Sequence, residues 1–255
     1  MFKLQKFSVK QSISGMKICS DSLLFGASIP VEGARRVLDI GTGTGILSLM
    51  LAQKSHASTD SPLTLFTAIE LTREAAEEAQ ENFNNSPWTD QLEVIQQDIQ
   101  QFSQHPFSQK KGEQMSTDYD VIVCNPPFFV NQTKTSLDNA LRHTARHSDT
   151  LSFADLCQSI GRLLTTCGSA YLLLPTMAIT EFCDEAAMVG LKLIARTDIA
   201  ESTEHLVKVS IMQFHRNNAQ SAIKIKQSRL NKFKQSNVHS DEVRDLLSPF
   251  LLRYL

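Results

Sequence analysis

Residues 36–45 read Arg-Val-Leu-Asp-Ile-Gly-Thr-Gly-Thr-Gly, and this stretch decides the fold. Its first half is a short apolar run typical of a buried strand. Its second half is rich in glycine, which allows a tight turn and a close approach of the backbone to a ligand. The next residues, Thr44 to about Lys54, carry apolar side chains at helical spacing and predict a helix. A strand, a glycine turn and a helix in this order are typical of the ligand-binding edge of an open α/β sheet.

The same alternation of strand and helix continues along the chain. Strands are predicted at 63–69, 92–96, 119–124, 169–174, 191–199 and 205–215, and helices at 72–83, 152–164 and 176–188. Strands that alternate with helices imply parallel βαβ units, and near-continuous apolar strands suit a sheet that is covered on both faces. We therefore predict one α/β domain over residues 35–255, preceded by an N-terminal extension over residues 1–34.

Composition excludes several classes of protein. The chain has 255 residues, of which 42% are apolar and 20% charged, as in ordinary globular proteins. Its 25 basic and 27 acidic residues exclude a uniformly basic nucleic-acid-binding protein. No apolar stretch approaches the about 20 residues of a membrane-spanning helix, and the first residues do not predict a secretory signal. The five cysteines form no CxxC pair, so we expect free thiols in a cytoplasmic protein.

A metal site is not predicted. His143 and His147 have the spacing of two ligands on one helix face, but residues 144–146 read Thr-Ala-Arg and lack the glutamate of the HExxH motif. We therefore interpret these histidines as part of a solvated, basic helix face.

The spacing of the glycines and of the acidic residues that follow them limits the class of ligand that the turn can bind. Gly41, Gly43 and Gly45 form GxGxG, one residue short of the GxGxxG fingerprint of dinucleotide-binding proteins. Glu70 ends the second strand, where a carboxylate can accept both hydroxyls of a ribose. Asp98 ends the third strand, where it can meet an adenine edge. The alternatives are a charge at a helix N-terminus for Glu70 and a helix N-cap for Asp98.

This combination resembles the class I methyltransferases, which bind S-adenosylmethionine. The resemblance implies a Rossmann-like α/β fold with a seven-stranded, mostly parallel sheet and helices on both faces. It also implies a set of cofactor-binding residues: Asp39, Gly41, Thr42, Gly43, Gly45, Glu70, Leu71, Asp98, Ile99 and Asn125. A second, more specific family resemblance adds Asp21 to this set.

Asn125, Pro126, Pro127 and Phe128 follow the fourth strand and predict the catalytic site. An amino group on a purine is a poor nucleophile, because its lone pair is delocalised into the ring. The Asn125 side-chain carbonyl and the Pro126 backbone carbonyl can accept its N–H groups and direct the lone pair at the methyl group, and proline fixes the second acceptor. Phe128 offers a face on which a flipped-out base can stack. The structural alternative is a rigid turn.

The Asn-Pro-Pro-Phe sequence resembles the motif of methyltransferases that act on adenine N6, guanine N2 or glutamine N5, and the motif alone does not choose among them. Residues 7–9 and 16–27, Trp88, residues 145–147 and the closing residues 241–255 are similar to the bacterial tRNA1(Val) (adenine-37-N6)-methyltransferase family. That family shows a Gly-Thr-Asp-Gly-like run where this chain has Cys19-Ser20-Asp21-Ser22, which keeps Asp21. The resemblance implies that residues 1–34 pack over the cofactor and substrate side.

Two basic segments without acidic residues support an RNA substrate. They are residues 1–20 and residues 205–240. A solvated charged face is the alternative, but phosphate contacts would supply affinity and salt dependence. The candidate nucleic-acid-binding residues are Lys10, Lys17, Arg146, Lys224, Lys226, Arg229 and Lys232.

The sequence therefore predicts a cytoplasmic, monomeric enzyme that methylates adenine N6 in tRNA, with S-adenosylmethionine as cofactor, no metal and no membrane contact. The alternatives are a glutamine N5 or guanine N2 methyltransferase of the same fold, or an inactive RNA-binding protein of that fold.

Overall fold

A computed structural model describes residues 1–13, 17–57, 63–105, 118–126, 151–216 and 224–254. Its centre is one large sheet, and two short hairpins lie outside that sheet. The strands of the large sheet are β3 (Arg36–Ile40), β4 (Leu65–Glu70), β5 (Leu92–Gln96), β6 (Tyr119–Cys124), β7 (Leu164–Pro175), β8 (Leu191–Ala200), β9 (Val209–Arg216) and β10 (Lys226–Asn231). The hairpins pair β1 (Phe2–Lys3) with β2 (Ser8–Val9), and β11 (Phe233–Gln235) with β12 (Val238–His239).

The described helices cover both faces of the large sheet. They are α1 (Ser20–Ser28), α2 (Ile46–Ser55), α3 (Arg73–Asn84), α4 (Ile99–Gln104), α5 (Phe153–Leu163), α6 (Ile179–Met188) and α7 (Asp241–Leu247). One apolar core contains side chains of α1, α2 and α7, and a second contains side chains of α5 and α6. None of these helices is long and apolar enough to cross a membrane.

The strand order is β10-β8-β9-β7-β6-β3-β4-β5. All neighbouring pairs are parallel except the two that β9 forms with β7 and β8, which are antiparallel. The prediction of a mostly parallel α/β sheet is therefore confirmed. Seven strands were expected, and the structure adds an eighth, β10, on the outside of β8.

The parallel strands all end at one edge of the sheet, called the carboxyl edge below. Parallel α/β sheets bind ligands beyond this edge. Because β9 is antiparallel, it begins at the carboxyl edge, so the residues just before Val209 lie there too.

Helix α1 lies along α2 in the same direction. Close to Gly26 are the side chains of Leu47 and Met50, and the Lys54 ammonium donates to the backbone carbonyls of Ala27 and Ile29. Because α2 begins at the glycine turn, α1 also begins near the carboxyl edge.

Residues 19–22, which lack the glycines of the similar family, form hydrogen bonds of their own at the start of α1. The Ser22 hydroxyl accepts the Cys19 N–H at 3.1 Å and donates to the Cys19 carbonyl at 2.8 Å, which satisfies the start of the helix.

The segments near the two ends of the chain are hydrogen-bonded to each other. The side-chain amide of Gln5 donates to the carbonyls of Ser248 (2.7 Å) and Leu251 (2.9 Å), and its backbone N–H donates to the carbonyl of Phe250 (2.8 Å). Phe7 and Phe250 are buried in the same core. The first hairpin and α7 therefore belong to the packed domain.

Candidate cofactor and substrate site

The glycine turn forms as the sequence predicts, and it leaves open space above it. Gly41, Gly43 and Gly45 have φ angles of 69°, 55° and 80°, which L-residues with side chains adopt at a cost. A Cβ atom added to Gly41 or Gly43 would meet no heavy atom within 4 Å. The N–H groups of Gly41 and Thr42 donate to the carbonyl of Ile69, so the turn is fixed against the neighbouring strand. The turn therefore offers a fixed backbone surface that a ligand can approach closely.

Asp39 lies directly below this turn and is 1% exposed. Its Oδ2 atom accepts the hydroxyls of Thr42 (2.7 Å) and Ser48 (2.8 Å). Within the described part of the chain its Oδ1 atom is buried without a hydrogen-bond partner. Burial raises the pKa of this carboxyl to about 6, although the two hydroxyl groups lower it. A buried acceptor without a partner beside an open turn indicates that a donor group of a ligand completes this site.

The raised pKa predicts a particular pH dependence of stability. The pKa rises from an ordinary value of 3.8 to about 6, so the stabilisation from protonated Asp39 is fully present below 3.8 and is lost as the pH rises through 6. Asp39→Asn keeps an acceptor oxygen for Thr42 and Ser48 but cannot titrate. Between about pH 7.5 and about pH 4, we expect the free energy of unfolding of the wild type to gain up to about 3 kcal/mol relative to this variant. Urea unfolding of both ligand-free proteins at the two pH values measures this change. A difference in unfolding free energy between wild type and variant that does not depend on pH would contradict the raised pKa of Asp39.

Glu70 and Asn125 flank the glycine turn at the same level of the sheet. Ile40 pairs with Ile69 on one side and with Cys124 on the other, so the next residues, Gly41, Glu70 and Asn125, stand side by side. Neighbouring strands are about 4.8 Å apart. The sheet thus brings together the three features on which the sequence prediction depended.

The Glu70 carboxylate also organises its surroundings. Oε2 accepts the N–H of Gly43 at 3.0 Å, and Oε1 accepts the N–H (3.1 Å) and the hydroxyl (3.0 Å) of Thr72, the N-cap residue of α3. The alternative interpretation, a charge at a helix N-terminus, is therefore part of its role. Leu71 is 56% exposed beside it and offers an apolar surface at this edge. Ribose binding by Glu70 stays a prediction.

Asp98 caps α4, as the alternative interpretation expected. Its Oδ1 atom accepts the N–H of Gln100 at 2.7 Å. Ile99 is 6% exposed and belongs to the core. Both residues follow β5 at the carboxyl edge, so a contact with an adenine ring stays a prediction for them.

Asn125 and Pro126 follow β6 between the glycine turn and β7. Asn125 is half-buried and Pro126 is buried. Cys124, just before them, is a buried free thiol whose pKa is raised by burial, so it is not a reactive thiolate. Pro127 and Phe128 lie outside the described residues, as do Arg146 and the two histidines of the basic helix face. In the part of the chain that is described, no cluster of three or more potential metal ligands occurs.

Lys232, which the sequence predicts as a phosphate contact, is mostly buried. It is 7% exposed, and its ammonium lies 2.7 Å from a carboxylate oxygen of Asp21 and 2.7 Å from one of Glu201. These two ion pairs connect the first turn of α1 to the ends of β8 and β10. Phosphate binding by Lys232 stays a prediction. Asp21, expected beside the cofactor, is held at the carboxyl edge by its ion pair with Lys232.

The other predicted nucleic-acid-binding residues fall into two groups. Lys224 and Lys226 are exposed. Arg229, Lys10 and Lys17 have contacts within the chain. Lys10 pairs with Glu81 at 2.7 Å, which raises its pKa, and Lys17 donates to a backbone carbonyl. Arg229 donates to backbone carbonyls of residues 202–205, a role that its charge alone did not predict.

Two buried polar residues of α3 were missed by the sequence analysis. Glu78 is 1% exposed and accepts the N–H groups of Ser12 (2.7 Å) and Ile13 (3.0 Å). Asn82 is 3% exposed, exchanges two hydrogen bonds with the backbone of Lys10, and donates to the carbonyl of Thr44 in the glycine turn. They fix residues 10–13 beside the glycine turn. Their four-residue spacing on the alanine-lined face of the helix is the signal that could have revealed them.

Comparison with known proteins identifies close relatives. The model of the methyltransferase small domain family matches residues 12–150. A Shewanella sediminis protein named tRNA1(Val) (adenine(37)-N6)-methyltransferase is 34% identical over 99% of each chain. Proteins of the same name from Cytophaga hutchinsonii and Shewanella pealeana are 38% and 42% identical, over 81% and 75% of this chain and 80% and 71% of theirs.

Solved structures share the fold at low identity. One from Agrobacterium tumefaciens, described as a predicted O-methyltransferase, has a TM-score of 0.61 and 14% identity over 89% of this chain and 94% of that one. The methyltransferase subunit of a type I restriction-modification system from Streptococcus thermophilus has a TM-score of 0.58 and 14% identity, covering 93% and 53%. These likenesses concern the fold alone.

Proposed function

The chain belongs to the tRNA1(Val) (adenine(37)-N6)-methyltransferase family, and from this premise we propose that it transfers a methyl group from S-adenosylmethionine to the exocyclic N6 of adenine 37 in valine tRNA. The observation that carries the proposal is the alignment of Asn125, Gly41 and Glu70 at one level of the carboxyl edge. It puts an amide acceptor beside a nucleotide-binding turn. Because tRNA is the substrate, we place the enzyme in the cytoplasm.

The residues at the glycine turn fit S-adenosylmethionine. The open space above Gly41 and Gly43 admits a ligand against the backbone, and the buried Oδ1 atom of Asp39 supplies an acceptor for a donor group of the ligand. The Glu70 carboxylate stands where ribose hydroxyls are held in this class of sheet. When bound, the cofactor supplies an electrophilic methyl group.

The role of the chain in the transfer is to orient the substrate amine. The side-chain carbonyl of Asn125 and the backbone carbonyl of Pro126 accept the two N–H groups of adenine N6, so that its lone pair points at the methyl group. With the cofactor bound, this orientation would let the amine accept the methyl group directly, and the methylated amine would release one proton to water. No strong base is required, and positioning supplies the catalysis.

Guanine N2 and the amide nitrogen N5 of glutamine also carry delocalised lone pairs, and a catalytically inactive protein could retain the fold. Family membership over nearly the whole chain favours adenine N6 in tRNA over the first two. The intact Asn125 and Pro126 pair favours an active enzyme.

The proposal is tested by incubating the protein with unmodified valine tRNA and isotopically labelled S-adenosylmethionine. Nucleoside mass spectrometry should find label in N6-methyladenosine, and a transcript with guanine in place of adenine 37 should take up none. Label in N2-methylguanosine, or in protein rather than RNA, would assign the enzyme to one of the alternatives.

A further inference from the structure

Leu206 is an apolar side chain that the fold holds out into solvent. It is 87% exposed, the most exposed large apolar side chain among the described residues. It belongs to residues 201–208, called the rim loop below, which connects β8 to β9. Nearby at the same edge, Met177 is 71% exposed. The Thr176 N–H and hydroxyl donate to the carbonyls of Lys208 (2.9 Å) and Val207 (3.0 Å), which join this turn to the rim loop.

Hydrogen bonds from Arg229 hold the backbone of the rim loop in place. One terminal nitrogen of Arg229 donates to the carbonyls of Ser202 (3.1 Å), Thr203 (3.2 Å) and His205 (2.8 Å). At the base of the loop, Glu201 is paired with Lys232. A loop whose carbonyls converge on one guanidinium has little freedom to fold Leu206 back onto the protein. Since exposing apolar side chains is unfavourable, two of them, Leu206 and Met177, held exposed on adjoining turns that are hydrogen-bonded to each other mark a candidate contact surface.

The sheet register places this surface near the proposed catalytic residues. Cys124, one residue before Asn125, pairs with Leu172, which pairs with Met212 of β9. Lys208 therefore lies two strands away, about 10 Å across the sheet, and three residues, about 10 Å, farther beyond the carboxyl edge than Asn125. The rim loop carries two acidic residues, Glu201, which is paired with Lys232, and Glu204, which is exposed; from His205 to Arg216 the chain carries none, and Lys208 is exposed. A base inserted at Asn125 would leave its neighbouring nucleotides at about this distance.

We propose that the rim loop is the contact surface for the nucleotides that flank the target adenine, with Leu206 packing against an unstacked base and Lys208 on a phosphate. The proposal rests on the proposed function and specifies how its substrate is held. Removing one base from a stack leaves an apolar gap, and leucine is a side chain that other nucleic-acid-binding proteins insert between bases. Arg229 is then a positioning residue that acts through the loop carbonyls to which its guanidinium donates.

Leu206→Ala should weaken binding of valine tRNA about tenfold without changing the slope of log affinity against log salt, because an apolar contact releases no counterions. Turnover at saturating tRNA and affinity for S-adenosylmethionine should stay near the wild-type values. The matched control is Met188→Ala. Met188 is 84% exposed but ends α6 just before β8 begins, at the opposite edge of the sheet, and its replacement should change nothing.

Lys208→Ala should both weaken tRNA binding and reduce the salt slope by about 0.7, the value for one phosphate of a single strand. If Leu206→Ala binds tRNA like the wild type while the wild type still forms N6-methyladenosine, the rim-loop proposal is overturned and the proposed function stands. If the wild type neither binds nor methylates tRNA, both fail. An equal loss in the Met188→Ala variant would also overturn the proposal, because exposure alone would then explain the effect.

Discussion

Replacing Asn125 by alanine is expected to lower turnover about 100- to 1000-fold while affinity for S-adenosylmethionine changes little. The reason is that the lost acceptor acts on the substrate amine during transfer, and removing one preorganised polar group from an active site costs about this much. Asn125 follows β6 at the level of Gly41, in the position to make this contact. Single-turnover rates with saturating tRNA and calorimetric titration of the cofactor measure the two effects separately.

Asn125→Asp is the matched control, since it keeps an acceptor oxygen in nearly the same volume. It should be less damaging than alanine if an acceptor is all that the transfer requires. Near wild-type turnover in the alanine variant would rule out the catalytic role, whereas a large loss of cofactor affinity with unchanged turnover would leave Asn125 with its predicted cofactor-binding role alone.

The second large effect is expected from Gly45→Ala, which should destabilise the fold. Gly45 has φ +80°, and an added Cβ would lie 2.5 Å from Cε1 of Phe83, a fully buried ring. The left-handed backbone costs a non-glycine residue about 1–2 kcal/mol, and forcing an atom into a packed core costs about 1–3 kcal/mol. We therefore expect the free energy of unfolding to fall by about 2–5 kcal/mol, with a loss of cofactor binding because the turn must shift. Urea unfolding and calorimetry check both.

Gly33→Ala separates the two causes. Gly33 has φ +78°, but an added Cβ would meet nothing within 4 Å, so only the backbone cost of about 1–2 kcal/mol applies. In a Phe83→Leu background, the cost of Gly45→Ala should approach that of Gly33→Ala, since the ring it meets is gone. Equal costs for the two glycine substitutions in the wild-type background would show that the contact with Phe83 is relieved without strain.

The parts of the fold that the sequence predicts correctly are those with local causes. The run from Arg36 to Gly45 carries both its apolar pattern and its glycines within ten residues, and the helix that follows begins only two residues later than predicted. Strand β10 was not among the seven predicted strands of the sheet, because four of its six residues are exposed and its sequence has no apolar pattern. An edge strand of this kind is defined by its pairing with β8, which lies about 30 residues earlier.

The contacts of candidate site residues that the sequence did not indicate have the same origin. The sequence shows the charges of Lys232 and Arg229 but not their partners, because Asp21 is 211 residues from Lys232 and the carbonyls around Arg229 belong to an unrelated turn. Composition treats a buried cation and a solvated one alike. The contacts of Asp39 and Glu70 with the glycine turn could be predicted, because the turn and the neighbouring strand end form a local pattern in the sequence.

The hydrogen bonds of Gln5 to Ser248, Phe250 and Leu251 have a consequence for biosynthesis. The ribosome synthesises Gln5 243 residues before Ser248, so the first hairpin is made long before the carbonyls to which it is hydrogen-bonded. The sheet from β3 to β7 can assemble during translation, while the first hairpin still lacks these partners. Nascent chains arrested before residue 248 should therefore expose Phe7 and the first hairpin to chaperones and proteases, and synthesis past residue 251 should protect them.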